Sequence, residues 1–185
     1  MATQPKQKLT VAEYLVKFEG AAAGRYELAD GDVIMMPPET VLHNRTKGRI
    51  FAALDDAITS AGLPCTVFTG GMTIKIDEFT AREPDAVVQC GGKIDDTSLL
   101  VEAPLIVIEV VSPSSERDDT GRKFVEYFSI ASIRHYVVVD PWKRVVVHHW
   151  REGDDKIQTR ILGSGDIEFL PPGFAVTVAQ LLGAR

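Results

Sequence analysis

The chain has 185 residues, 45% hydrophobic and 25% charged, with 15 Gly and 10 Pro, which is the composition of one ordinary globular domain spanning residues 1–185. That composition excludes disorder, collagen, coiled coil and a disulfide scaffold, and no apolar run approaches the ~20 residues of a membrane span. The net charge of -6 has the wrong sign for a protein that coats nucleic acid non-specifically.

The first residues, MATQPKQKLT, lack an apolar stretch behind their lysines, so no signal peptide is expected. Cys65 and Cys90 match neither a zinc-site spacing nor a stapled framework, so reduced thiols and a cytoplasmic location are expected. Thr10 with Glu13 forms a capping box that predicts a short helix over residues 11–18, ended by Gly20 to Gly24. Asp30-Gly31 between two strand-like runs predicts a hairpin. Residues 40–61, with Val41, Ile50, Leu54, Ala57 and Ile58 on one face, predict an amphipathic helix closing at Gly62.

A second hairpin is expected from Thr66–Thr69 through Gly70-Gly71 into Met72–Ile76. Pro84-Asp85 opens a short strand. Residues 104–111 are almost wholly apolar and predict a central strand buried on both faces, followed by a turn from Ser112. Residues 117–130 predict a helix with Phe124, Phe128 and Ala131 on one face. His135–Asp140 and Val145–Trp150 are strands joined at Pro141, and the tail alternates short strands with turns before a helical end at Val178–Leu182. The expected class is α/β, with one mixed sheet flanked by helices.

One residue breaks the local rules. Glu109 lies inside the most hydrophobic strand and, by strand alternation, points the same way as Val107 and Val111. An unpaired carboxylate there costs several kcal/mol, so a proton, a cation or a metal must compensate. Asp85 and Glu27 are acids able to join it. Two carboxylates ~4 Å apart repel by roughly 4 kcal/mol at an effective dielectric of 20, a cost that a hard divalent ion such as Mg²⁺ or Mn²⁺ relieves. Lys123, on the helix after the Glu109 strand, supplies an ammonium. Carboxylates, a divalent ion and a lysine are the parts that phosphodiester hydrolysis requires.

Pro84-Asp85, Glu109 in a hydrophobic strand and Lys123 together resemble the PD-(D/E)XK nuclease superfamily. More narrowly, the chain resembles the restriction-endonuclease-like proteins of the Uma-two family. The likeness rests on residues 26–32 with Met35–Pro38, on His43, on Glu83–Val88, on Ile108–Ser115 leading into Asp119–Lys123, and on Ile133–Pro141, in that order. It implies a restriction-endonuclease-like fold with Asp85 and Glu109 as Mg²⁺ or Mn²⁺ ligands and the Val110 carbonyl as a third. Lys123 would position water and phosphate, Glu27 would assist, DNA would be the substrate and a homodimer the assembly. The superfamily pattern places its lysine two residues after the acid, where this chain has Val111; the narrower family implies that Lys123 takes over from the helix.

Other features carry blander readings. His148 and His149 are adjacent in a strand and face opposite sides, so they do not chelate one ion together. His43 is expected near the site at a helix start, and Arg45, Lys47 and Arg49 on a solvated helix face. Lys123 follows Asp119 at the spacing of a helical ion pair. Ser112 and Ser114 most simply cap a helix, and no nucleophile elbow or glycine-rich nucleotide loop is present. Trp142 and Trp150 fit either core or dimer surface. Two rival functions remain open: a catalytically silent dimeric binding or scaffold protein with this fold, which the acidic net charge favours, and a metal-dependent hydrolase of a smaller phosphoester.

Overall fold

The computed structural model describes residues 8–18, 25–112, 121–153 and 156–183. Helix α1 (Val11–Phe18) opens on the expected capping box: the Thr10 amide donates to Glu13 Oε2 at 2.8 Å and the Glu13 amide to Thr10 Oγ1 at 3.3 Å. Residues 19–24, expected to end this helix, lie outside the described residues. Strands β1 (Arg25–Ala29) and β2 (Asp32–Met36) form the Asp30-Gly31 hairpin. Asp30 and Gly31 have φ of 49° and 80°, the pair of left-handed residues that a tight two-residue turn demands. A side chain at Gly31 would also strike Lys8.

Helix α2 (Val41–Ser60) is capped by the Thr40 hydroxyl, which accepts from the His43 amide. It buries Ile50, Leu54 and Ile58 as expected, but Val41 is exposed, because nine residues at about 100° each set it on the side of the helix opposite Ile50. After it come β3 (Cys65–Thr69), β4 (Ile74–Lys75), β5 (Ala81–Arg82), β6 (Ala86–Cys90) and β7 (Pro104–Val110). Helix α3 (Arg122–Phe128) leads into β8 (His135–Asp140), β9 (Val145–Glu152) and β10 (Lys156–Leu162). The chain then adds β11 (Asp166–Phe169), β12 (Phe174–Thr177) and α4 (Val178–Leu182).

A six-stranded mixed sheet ordered β10-β9-β8-β7-β6-β3 forms the centre, with β7 and β8 parallel and the other pairs antiparallel. The β7–α3–β8 crossover makes that parallel pair. Helices α2 and α4 with the β11–β12 hairpin cover one face through Ile50, Leu54, Val176 and Leu181. On the other face, Val87, Val107, Val111 and Tyr136 pack with Tyr127 of α3. A second, four-stranded sheet, β2-β1-β5-β4, carries α1 on Leu28 and Ala81.

The expected α/β mixed sheet with flanking helices is therefore present, with three corrections. The second hairpin does not form: β3 pairs with β6, while β4 pairs with β5 in the smaller sheet. Gly70-Gly71 carries the chain from one sheet to the other, and such long-range pairing has no local signature. Helix α3 begins at Arg122 among the described residues; residues 113–120, including Ser114 and Asp119 with their expected capping and ion-pairing roles, lie outside them. Finally, Cys65 and Cys90 are joined by a disulfide. The β3–β6 register sets them directly opposite, with Cα atoms 3.9 Å apart, a proximity that a separation of 25 residues in sequence does not reveal. The cysteines thus no longer support a cytoplasmic location.

Candidate active site

Four remote segments meet where β6 begins and β7 ends. The β6–β7 register pairs Ala86 with Ile108, so one further step sets Asp85 opposite Glu109. The Val110 amide donates to Asp85 Oδ2 at 2.8 Å and tethers the two strand ends. On α3, Lys123 and Tyr127 lie one turn apart on the face turned to β7, and both reach the same Glu109 oxygen: Lys123 Nζ at 2.9 Å and the Tyr127 hydroxyl at 2.7 Å. From β1, Glu27 Oε1 lies 3.3 Å from Lys123 Nζ and accepts from the Glu83 amide at 3.2 Å, while its other oxygen accepts from Arg82 at 2.9 Å.

All four expected residues thus line one cavity of about 280 Å³, together with Val110 and Ser112. They are deeply set: Glu27 and Glu109 are 4% exposed, Asp85 5% and Lys123 3%. Burial alone would raise the Asp85 pKa, but the His43 hydrogen bond, the Val110 amide and the Lys47 charge outweigh it and hold the carboxyl below its ordinary value. Burial pushes the Tyr127 hydroxyl well above its usual pKa, helped by the Glu109 charge, so it stays a donor to that carboxylate.

Local patterns missed a second half of the site. Glu39, just before the Thr40 cap, accepts from Lys47 Nζ at 2.6 Å and from Arg25, whose guanidinium also bonds Glu83 at 2.7 Å. Lys47 is therefore not on a solvated face. It points inward, also 3.5 Å from Asp85, whereas Arg45 and Arg49 are exposed. Its place exactly one turn after His43 was the available signal, as the Lys123–Tyr127 spacing was for Tyr127. Arg82 bridges Glu27 to Glu126 of α3, and the two acids hold its guanidinium charged despite burial.

The donor set suits a hard divalent ion. Asp85 and Glu109 offer carboxylate oxygens across the strand pair, and Val110 offers a backbone carbonyl beside them. The cavity lining carries five carboxylates, from Glu27, Glu39, Glu83, Asp85 and Glu109. Against these stand Arg25, Arg82 and Lys123 in the lining and Lys47 on Glu39 and Asp85, so one negative charge remains over. Glu39, His43 and Asp85 also bring ligand atoms within 4.8 Å of one another. That grouping already contains the Lys47 ammonium, and His43 is oriented against ligation. Its Nε2 lies 3.0 Å from Asp85 Oδ1, engaged with that carboxylate, and its Nδ1 is buried with no hydrogen-bond partner among the described residues.

The histidines of β9 behave as strand alternation predicts. His148 turns to His135, with ring nitrogens 3.0 Å apart, and His149 lies on the opposite face beside Tyr136 and Phe124. Trp142 is exposed and so is not core.

A family model described as "Uma2: Putative restriction endonuclease" matches residues 11–181. Two uncharacterized proteins of Synechocystis sp. are similar. One, sll1609, is 28% identical over 166 residues, covering 87% of this chain and 92% of that protein. The other, slr1290, is 24% identical over 178 residues, covering 94% and 91%. A crystal structure of a putative nuclease belonging to DUF820 from Anabaena variabilis superposes with a TM-score of 0.73 at 12% identity, covering 94% of this chain and 97% of that one, and so shares its fold.

Proposed function

Because the chain belongs to the Uma2 family, described as putative restriction endonucleases, we propose that it is a Mg²⁺- or Mn²⁺-dependent nuclease that hydrolyses phosphodiester bonds in DNA, acting as a single domain. The observation that carries this reading is convergence: Glu27, Asp85, Glu109 and Lys123, from four separate segments, line one cavity in which carboxylates outnumber cations. Asp85, Glu109 and the Val110 carbonyl are the groups that would hold the ion, which when bound supplies charge neutralisation at the phosphate and a more acidic water.

The chain's own residues do the rest. Lys123 Nζ, shared between Glu109 and Glu27, is placed to meet the negative charge that develops on phosphate and to orient water. Tyr127 keeps Glu109 turned into the cavity, and the Val110 amide keeps Asp85 there. Glu27, fixed by Arg82 and the Glu83 amide, sets the position of Lys123. A homodimer completes the reading by family likeness.

Supercoiled, linear and single-stranded DNA incubated with the protein under Mg²⁺ or Mn²⁺ provide the test. The wild type cleaves at least one of them; Asp85→Ala and Glu109→Ala each lose that activity by roughly 10²–10³ or more. Cleavage that survives both substitutions overturns the assignment. One observation favours the silent binding protein instead: Lys47 already offsets Glu39 and Asp85 without an ion. Intact DNA together with no calorimetric Mn²⁺ binding would establish that alternative.

A further inference from the structure

We infer that the strand this cavity accepts is unpaired: a single-stranded nucleic acid, seated with a base against the apolar ledge of β2, rather than intact duplex. The inference rests on the nuclease reading above and concerns which substrate reaches that site.

Depth is the first argument. Asp85, Glu109 and Lys123 are each at least 95% buried, at the floor of a cavity of about 280 Å³. That is at the low end for a small-ligand pocket, room for about one nucleotide unit, whereas a duplex presents grooves about 6 and 12 Å wide on a stiff rod. A phosphate within a duplex stays in register with its stacked neighbours and cannot drop to such a floor alone.

The wall gives the second argument. Its solvent side is apolar: Ile34 of β2, 44% exposed, shares the Glu27 face of the sheet with the half-buried Met36, and Pro37 and Pro38 continue the ledge. Strand β2 is the edge of its sheet, so no strand among the described residues pairs with its outer side. Thioether and aliphatic groups beside a phosphodiester site fit the face of a nucleobase, which only an unstacked strand offers. Aromatic platforms are absent from this lining, so base preference should be weak.

Charge is the third. Duplex binding draws its affinity from cations that neutralise successive phosphates. In this cavity Arg25 is held by Glu39 and Glu83, Arg82 by Glu27 and Glu126, and Lys47 by Glu39 and Asp85. The whole chain carries -6. Affinity must therefore come from the ledge and the divalent ion.

The test uses one fluorescein-labelled oligodeoxynucleotide, alone and annealed to its complement, with the full chain. In Mn²⁺ the single strand is cleaved at least about tenfold faster than the duplex, and Ile34→Ser/Met36→Ser raises KM for it by about tenfold with kcat little changed. Duplex cleaved as fast as single strand, or a double variant whose KM is unmoved, overturns the inference while leaving the nuclease reading intact. Cleavage of neither substrate counts against the nuclease reading itself. Anisotropy in Ca²⁺ then decides the present point: preference for the single strand, weakened by the double variant, upholds it, and equal or absent binding overturns it.

Discussion

Two buried polar clusters lie on opposite faces of the central sheet, and they answer the cost of burial in opposite ways. Around Glu109 and Asp85 the cost is met by pairing: each carboxylate meets lysine, arginine, tyrosine or a backbone amide. Around His135 and His148 the charge is given up. Burial lowers the His135 pKa to about 4 and that of His148 to about 3, so both rings are neutral at pH 7. Their nitrogens bond each other, and His135 Nε2 bonds the Pro171 carbonyl at 2.8 Å. A pair that only needs to pack can be neutral. A cluster of opposed acids and bases set in the interior, with carboxylates in excess, is poised for a cation and a phosphate.

The sharpest way to break this contrast is to unbalance the charged cluster. Lys123→Met removes the ammonium that meets the buried Glu109 carboxylate and should cost about 3–5 kcal/mol in equilibrium urea unfolding. Glu109→Gln/Lys123→Met should recover most of that loss, because no unmatched charge is left. A single-variant cost under about 1 kcal/mol would mean that the region is wetter than its burial indicates.

Acid comes next in size. Neutral buried histidines have folded pKa values below their unfolded 6.5, so the unfolded chain binds more protons below that pH. Stability should therefore be flat above pH 6.5 and fall as pH drops from 6.5 towards about 4, by roughly a few kcal/mol at pH 5. The charged cluster answers in a different window. Asp85 is depressed from 3.8 and Glu39 and Glu126 from 4.5, so their contribution is present above those values and is lost only at lower pH. Thermal unfolding across pH 4–7 should show the first slope in the wild type and a shallower one in His148→Gln. An unchanged slope in that variant would move the effect elsewhere.

Ligand binding separates the regions again. Mn²⁺ at about a hundredfold over its Kd should stabilise the fold by about 2.7 kcal/mol. The shift in Tm should vanish in Asp85→Asn and persist in His148→Gln. Persistence in both would place the ion away from the Asp85–Glu109 pair.

Much of this contrast was legible in the sequence, for local reasons. The Thr10–Glu13 box, the Asp30-Gly31 turn and the apolar β7 run each encode their structure within a few residues, and Glu109 stood out because its neighbours are all hydrophobic. What stayed hidden depends on partners distant in the chain. Lys47 looks like surface until Glu39 and Asp85 are brought beside it, and Cys65 looks free until β6 is laid alongside β3. The same holds for His148, whose pairing with His135 follows from the β8–β9 register rather than from either local pattern.

The smallest effect is also the control that tests whether burial, and not ion pairing as such, sets these magnitudes. Arg122 meets Asp30 at 2.8 Å, as close as Lys123 meets Glu109, but with side chains 42% and 65% exposed. Water screens both partners, and holding two mobile side chains together offsets most of the attraction, leaving about 0.5 kcal/mol or less. Asp30→Asn is the suitable change, because asparagine tolerates the left-handed φ of 49° that this turn requires and only the charge is removed. Urea unfolding should register a few tenths of a kcal/mol, and about 0.5 M salt should erase even that. A loss comparable to that of Lys123→Met would show that distance alone governs the pairs, and the distinction between a buried charged site and an ordinary surface would then have no energetic basis.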